Sequence, residues 1–279
     1  MIASRQIPTE FERWNARWGA PYGRRRMVDP LLPGNRLRQW FRGPFAFQSN
    51  NGTRRFEYPW AYREVRRRGR GLDVIEIGGG LSGLQFVLAR EGDRVVNVDP
   101  GEPGRQWSAS QRRHAALCRR FRAPVRLVNA TIGAAGLPDA CADVIVCLSV
   151  LEHLSDAQLD EVAAELRRLL RPDGIVVLTV DLFLDAAPFC SAERNRWGRN
   201  IDVRAFLERA GLELRQGRTD QLLGFDDFRT DAVLRDLGAF MLADYPCLAQ
   251  CLVAQRPDGG GSHRHSNVPD GSDHDERRI

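Results

Sequence analysis

The residues best able to do chemistry lie in one short stretch, Asp73-Val-Ile-Glu-Ile-Gly-Gly-Gly-Leu-Ser-Gly83. An apolar run passes directly into glycines and then into a helix-length segment, so the backbone must turn sharply and can approach a ligand that a Cβ would hold off. Amide groups at the start of the helix can face polar or anionic atoms. Gly78, Gly80 and Gly83 satisfy the G-x-G-x-x-G spacing literally. A second apolar run, Arg94-Val-Val-Asn-Val-Asp99, ends in a carboxylate twenty-one residues after Gly78. An acid at that strand end can accept hydrogen bonds from both hydroxyls of an adenosine ribose. The two features together point to a nucleoside-bearing ligand; the alternative is a plain glycine turn with Asp99 capping it. The loop alone does not separate a dinucleotide from another adenosyl compound.

Among groups able to move a proton, His153 is the candidate base. It follows the fourth apolar run, at the sheet edge where ligands bind in open α/β folds. Its other reading is a ring that bonds the start of the next helix beside Ser155. His114 stands among arginines and reads as a surface residue, and His263, His265 and His274 fall in the tail. The six cysteines are scattered without a C-x-x-C pair, so no metal site is expected and the thiols read as free in a reducing compartment. All 41 basic residues are arginine. The missing lysine excludes a Walker A phosphate loop, a Schiff base and a Tyr-x-x-x-Lys reductase pair.

Positioning these residues requires an α/β sheet. Short apolar runs alternate with helix-length segments from Leu72 onward, the pattern of βαβ units. Strands are predicted at Asp73–Ile77, Arg94–Val98, Val125–Asn129, Asp143–Leu148, Ile175–Val180, Leu212–Gln216 and Leu248–Ala254. Helices are predicted at Gly83–Glu91, Ser108–Phe121, Asp156–Leu170 and Val203–Ala210, the third opened by a Ser155–Gln158 capping box and followed by a tight turn at Arg171-Pro-Asp-Gly174. Residues 1–70 carry sixteen arginines against five acids and many aromatics, with prolines at 21, 30, 33, 44 and 59. They read as an irregular cap with one or two short helices. Residues 71–256 form the predicted main domain, and 257–279 read as a disordered tail.

The run Leu137-Pro-Asp-Ala-Cys-Ala-Asp-Val-Ile-Val-Cys-Leu-Ser-Val-Leu-Glu-His-Leu154, a helix, and then Leu170-Arg-Pro-Asp-Gly-Ile-Val-Val-Leu178, in order after the glycine loop and its acid, closely resemble the class I S-adenosylmethionine-dependent methyltransferases over about residues 72 to 256. The resemblance implies a Rossmann-like, seven-stranded, mostly parallel sheet with an antiparallel last strand, helices on both faces and an N-terminal cap. It implies S-adenosylmethionine as cofactor, with Gly78, Gly79 and Gly80 beneath its methionine part, Glu76 near its ammonium and Asp99 on its ribose. Thr131, Leu148 and Ser149 would flank the adenine, with Ile132 a core residue if Thr131 turns outward. Family members often carry an Asp after the third strand for the adenine amino group, which this sequence lacks. In the cap, Arg54, Glu57, Tyr58 and Trp60 are candidates to close over an acceptor, joined by Asp181 and Asp185 beyond the fifth strand; the alternative is aromatic anchoring of the cap.

The expected acceptor is a small molecule or glycan. An RNA or other nucleic-acid partner stays open through the arginine clusters 24–26 and 66–68, and a nicotinamide-dependent oxidoreductase through the literal glycine spacing. No apolar run approaches the ~18–20 residues of a membrane span, so the expected location is the cytoplasm.

Overall fold

The computed structural model describes residues 1–24, 39, 41–101, 109–186, 189–243 and 245–257. The expected tail, most of the 24–26 arginine cluster and the start of the helix predicted from Ser108 lie outside the described residues.

Seven strands form one sheet: β1 (Asp73–Ile77), β2 (Arg94–Val98), β3 (Val125–Val128), β4 (Ala142–Leu148), β5 (Leu170–Phe183), β6 (Glu213–Gln216) and β7 (Cys247–Gln255). Their order is β3-β2-β1-β4-β5-β7-β6, parallel from β3 through β5, with β7 antiparallel to both neighbours. The order of strand addition reverses between β1 and β4, which remain parallel, and that switch point is where open α/β sheets bind ligands. Strand positions agree with the expectation within a residue or two except at β5. There the predicted turn at 171–174 is instead an irregularity inside the strand: Leu170 pairs with Ala142 and Ile175 with Val144, leaving the intervening residues bulged. Cys247 and Cys251 are free thiols on one strand, as their spacing requires.

Alternating side chains send the sheet's two faces into separate cores. Val74, Val95, Val144, Val146 and Val177 belong to one core, which also takes in residues of α3 (Gly83–Arg90) and α4 (Gln111–Phe121). Ile75, Ile145, Cys147, Val176 and Leu178 pack under α5 (Asp156–Leu169) and α6 (Val203–Ala210). α5 begins with the Ser155–Gln158 capping box.

The N-terminal arm is more regular than expected. It contains α1 (Thr9–Trp18) and α2 (Arg54–Arg68), a fifteen-residue helix that runs through Pro59. A proline there cannot donate to the carbonyl four residues back, Arg55 O. The Asn15 side-chain amide of α1 donates to that carbonyl instead, at 2.8 Å, so the defect is met by tertiary contact. Phe11, Trp14, Trp18, Phe45, Phe56, Tyr58 and Trp60 share the same apolar cluster as Val74, Leu84 and Val177. Cap and sheet therefore bury each other's surface.

One contact fixes how closely the cap sits. A Cβ placed on Gly83 would come within 2.5 Å of the Phe45 ring. Gly83→Ala is expected to destabilise the protein by ~1–3 kcal/mol through overpacking. Urea unfolding should show a lower midpoint with an unchanged slope, and the change should be smaller in a Phe45→Leu background.

Candidate active site

The glycine loop leaves β1 with Gly78 (φ 65°) and Gly80 (φ 54°) in the left-handed region. A Cβ on Gly78 would strike Val150 at 2.7 Å, and one on Gly79 would meet Glu76 Cδ at 2.7 Å and Asn97 Oδ1 at 2.8 Å. Glycine is required here because the loop lies directly on the side chains at the ends of β1 and β2. Gly80 N donates to Asp99 Oδ2 at 2.7 Å, Gly101 N to Asp99 Oδ1 at 2.8 Å, and Leu81 N to Gln48 Oε1 of the cap at 2.9 Å. These amides are occupied within the protein, so the loop does not present them as the free anion cradle that its pattern suggested. Asp99 holds the loop's curvature, and a carboxylate oxygen with one bond retains a lone pair for another donor.

Behind the loop, the Asn97 amide donates to Gly80 O at 2.9 Å and to Gln85 Oε1 at 3.1 Å. His114 Nε2 lies 2.7 Å from Gln85 Oε1. His114 is buried, not a surface residue, because α4 turns His114, Leu117 and Phe121 onto one face at helical spacing. Burial lowers its pKa to about 4, so the ring is neutral near pH 7.

Glu76 is buried with Oε2 lacking a partner among the described residues, and so is Asn97 Oδ1. The two residues are register partners on adjacent parallel strands. Burial, followed by the charge of Asp99, pushes the Glu76 carboxyl up to about 7 although Ser82 and Arg54 act against it.

On the far side of β4 the cap supplies Arg54. Its Nη1 donates to Glu57 Oε1 at 3.0 Å and to Ser149 Oγ at 2.9 Å, and its guanidinium lies 5.6 Å from the Tyr58 ring centre. Burial opposes this charge, but Glu57, Tyr58, Asp181 and Glu152 outweigh it and hold the guanidinium above its ordinary pKa. Glu57 also accepts from Thr53, Ser149 and Thr179. Asp181 faces Ser149 Oγ at 3.1 Å, and burial and the nearby Glu57 charge raise it to about 6. Glu152 accepts from Asp181 N at 3.2 Å, its Oε2 has no partner among the described residues, and burial and Asp181 raise it well above the usual range. Ser149 occupies the left-handed region (φ 48°) at the end of β4, a sparsely populated conformation for a side-chain-bearing residue.

The sequence therefore led to Arg54, Glu57, Tyr58 and Asp181 in one buried cluster, but several assignments change. His153 faces outward: it is exposed, and Nδ1 is 2.5 Å from Trp197 O. The 3₁₀ turn Leu151–His153 rotates successive side chains by about a third of a turn, so Glu152 enters the cluster and His153 leaves it. Trp60 is fully buried in the apolar core rather than lining an acceptor space, and Asp185 is exposed and bonded to Asn195. Ser149 commits its hydroxyl to Glu57 and Asp181 rather than toward an adenine. Thr131 is exposed and Ile132 is core, the paired outcome anticipated for them. Leu148 stays at the edge, its carbonyl 3.4 Å from Arg54 Nη2. Glu152, Thr179, Tyr245 and Asn97 were missed. The one available signal was Glu152, a carboxylate directly after the apolar Leu148–Leu151 segment.

A glycine loop at the switch point, with acids near the ends of adjacent parallel strands and a reversed strand between β5 and β6, defines an open α/β sheet whose ligand edge lies at that loop and which differs from the all-parallel dinucleotide fold. The comparisons agree: residues 75–178 match the family model described as a methyltransferase domain. Over that stretch the chain is similar to S-adenosylmethionine-dependent methyltransferases, on a Rossmann-like sheet. A protein of Mycolicibacterium smegmatis named as an S-adenosylmethionine-dependent methyltransferase is 27% identical over 175 residues, covering 61% of this chain and 63% of the relative. An uncharacterized methyltransferase of Mycolicibacterium gilvum is 32% identical over 117 residues, 41% of each. The chain spans less than two thirds of the length of the curated relatives it matches. Among solved structures, the 4+2 cyclase SpnF aligns with TM-score 0.52 and 18% identity over 91% of this chain and 98% of that one. A Galdieria sulphuraria protein named as a sarcosine dimethylglycine methyltransferase gives 0.51 and 14% over 83% and 99%. At such identities these structures speak to the fold.

The residues at the loop fit S-adenosylmethionine. Gly78 and Gly79 leave no room for a Cβ, Glu76 has an unpartnered buried oxygen of the kind an ammonium could meet, and Asp99 is a buried carboxylate just beyond β2.

The raised Glu76 carboxyl carries a stability signature. Its folded pKa, about 7, exceeds the ordinary 4.5, so the folded state binds more protons than the unfolded one in that window and loses stability as pH rises through it. Glu76→Gln should match the wild type near pH 4.5 and exceed it by a few kcal/mol, ~3 at most, near pH 8. Thermal midpoints across pH 4.5 to 8 check this; a constant gap between the two proteins would contradict it.

Proposed function

We propose that the chain transfers a methyl group from S-adenosylmethionine to a small-molecule or glycan acceptor. The observation that carries this reading is the buried, unpartnered oxygen of Glu76 beneath Gly79, on the strand beside the one that ends in Asp99. Gly78, Gly79 and Gly80 would pass beneath the methionine part, Glu76 would meet its ammonium, and Asp99 would hold the ribose hydroxyls. Leu148 would border the adenosyl group at the end of β4, and Thr131 would lie on the adenine side. When bound, the cofactor supplies an activated methyl on a sulfonium. The protein's work is alignment and exclusion of water, which α2 would perform by covering the end of the sheet with Arg54, Glu57 and Tyr58.

The cap's charge favours this acceptor class over nucleic acid. On α2, Arg66 pairs with Asp93 and Glu91, Arg67 with Glu64, and Arg63 with Glu10 and Glu64; just beyond it, Arg70 pairs with Glu91. These arginines are balanced by the protein's own acids instead of forming a bare phosphate-binding face.

S-adenosylhomocysteine at about a hundredfold its Kd should add ~2.7 kcal/mol and raise the thermal midpoint by roughly 5–11 °C. NAD should leave it unchanged, and a rise with NAD alone would reverse the reading. In Asp99→Asn, compared with its own unliganded midpoint, an affinity about tenfold lower should halve the increment.

A further inference from the structure

Glu57, Glu152 and Asp181 are buried together, and the cation recorded beside all three is Arg54. Hydrogen-bond accounting separates them. Glu57 is fully supplied, by Arg54, Thr53, Ser149 and Thr179. Asp181 and Glu152 are not. The Ser149 hydroxyl has a single proton, and Glu57 Oε1 at 2.9 Å competes for it with Asp181 Oδ1 at 3.1 Å. Otherwise Asp181 meets the Tyr245 hydroxyl at 3.5 Å, the limit of a hydrogen bond, and the weakly donating Cys247 thiol. Glu152 Oε2, fully buried, has no partner among the described residues. What the pair lacks is positive charge and donors, and an ammonium group brings one charge and up to three N–H donors. A multidentate metal cage is not formed: no group of three or more His, Cys, Asp or Glu among the described residues has metal-binding geometry.

The cofactor's own ammonium cannot serve both places. Glu76 aligns with Val146 on β4, and Val146 with Val177 on β5. Asp181 lies two strands over, about 10 Å, and four residues further along, about 13 Å. A cation held at Glu76 therefore leaves Asp181 and Glu152 for a second reactant. The outer side of Asp181 is aromatic: the Tyr245 ring stacks on Trp197 with centroids 5.5 Å apart, and Trp197 is 45% exposed. Ring faces attract cations, and the Arg196 guanidinium already sits 4.3 Å from the Trp197 ring centre.

We propose that the Asp181–Glu152 pair, backed by Ser149 and bordered by Tyr245, receives the acceptor as an ammonium ion and takes a proton from it, so that the atom methylated is an amine nitrogen; this rests on the methyl-transfer reading above. One N–H proton passes to the free carboxylate of the pair. The nitrogen lone pair then forms a bond to the donor's methyl carbon as the carbon–sulfur bond breaks, its electron pair staying on sulfur, which becomes neutral. The product is a methylated ammonium, so the total charge is unchanged, and the pair returns its proton to solvent after release. Burial and mutual repulsion raise both carboxyls, which suits the pair to sharing one proton before the acceptor arrives.

The test uses the full chain. S-adenosylhomocysteine is first titrated by calorimetry; absence of binding overturns the methyl-transfer reading and this proposal with it. With that ligand bound, ethanolammonium is compared with its neutral isostere, propan-1-ol, in which a methyl group replaces the ammonium. Wild type should favour ethanolammonium by about tenfold or more. Asp181→Asn and Glu152→Gln should lose that preference while their affinity for S-adenosylhomocysteine changes less than about twofold. Equal binding of the two probes by the wild type, or no binding of ethanolammonium, overturns the ammonium site and leaves the methyl-transfer reading standing. Methyl-labelled S-adenosylmethionine is then offered a pool of amines and a matched pool of alcohols and phenols. Label in the amine pool is expected, reduced about a hundredfold in Asp181→Asn; label in the hydroxyl pool overturns the proposal.

Discussion

The guanidinium of Arg54 is the charge on which the cap and the sheet edge both depend. It is held between Glu57 of its own helix and Ser149 at the end of β4. Removing an ion from water costs several kcal/mol unless it is paired and hydrogen-bonded, so this position is stable only when α2 lies across the strand ends. The reverse also holds. Without Arg54, the buried carboxylates of Glu57, Glu152 and Asp181 would repel one another with no nearby counter-charge. Apolar packing of the cap, from Phe11 through Trp60, supplies the area, and the ionic contact fixes where the first turn of α2 meets the end of β4.

A second electrostatic arrangement works at the glycine loop with different means. Asp99 accepts backbone amides from Gly80 and Gly101, whereas one carboxylate oxygen of Glu76, on the neighbouring strand, has no partner among the described residues. The two neighbouring acids thereby differ: one holds the loop's curvature through backbone amides, the other keeps a buried oxygen without a partner among the described residues. The chain from His114 through Gln85 and Asn97 to the Gly80 carbonyl keeps the loop's inner side from relaxing. A network of this kind is effective because its members are buried and every displaced bond leaves an unsatisfied group.

Much of the architecture was legible because it follows local periodicity. β1, β2 and α6 have the bounds expected from apolar runs and helical spacing, and Ser155 with Gln158 forms the capping box that its sequence signals. Misreadings occurred where a distant residue changed a local rule. Pro59 should interrupt a helix, yet Asn15 of another helix bonds the carbonyl it leaves free. Arg171-Pro-Asp-Gly174 should turn the chain, yet pairing with β4 on either side retains it as a bulge. His114 stood among arginines, yet its helix face packs inward.

The sequence by itself determined the alternation of strands and helices, the glycine turn and the acid that follows it, since each rests on backbone geometry or side-chain spacing within a few residues. It also named Arg54, Glu57, Tyr58, Trp60 and Asp181 as acceptor candidates, of which Trp60 lies in the apolar core. Which way each side chain points was decided only by the tertiary structure. The 3₁₀ turn that sends Glu152 inward and His153 outward, and the cluster that draws residues 54, 57, 149, 179, 181 and 245 together, depend on elements far apart in the chain. Charge can be buried only where such distant partners meet, and no local pattern records the meeting.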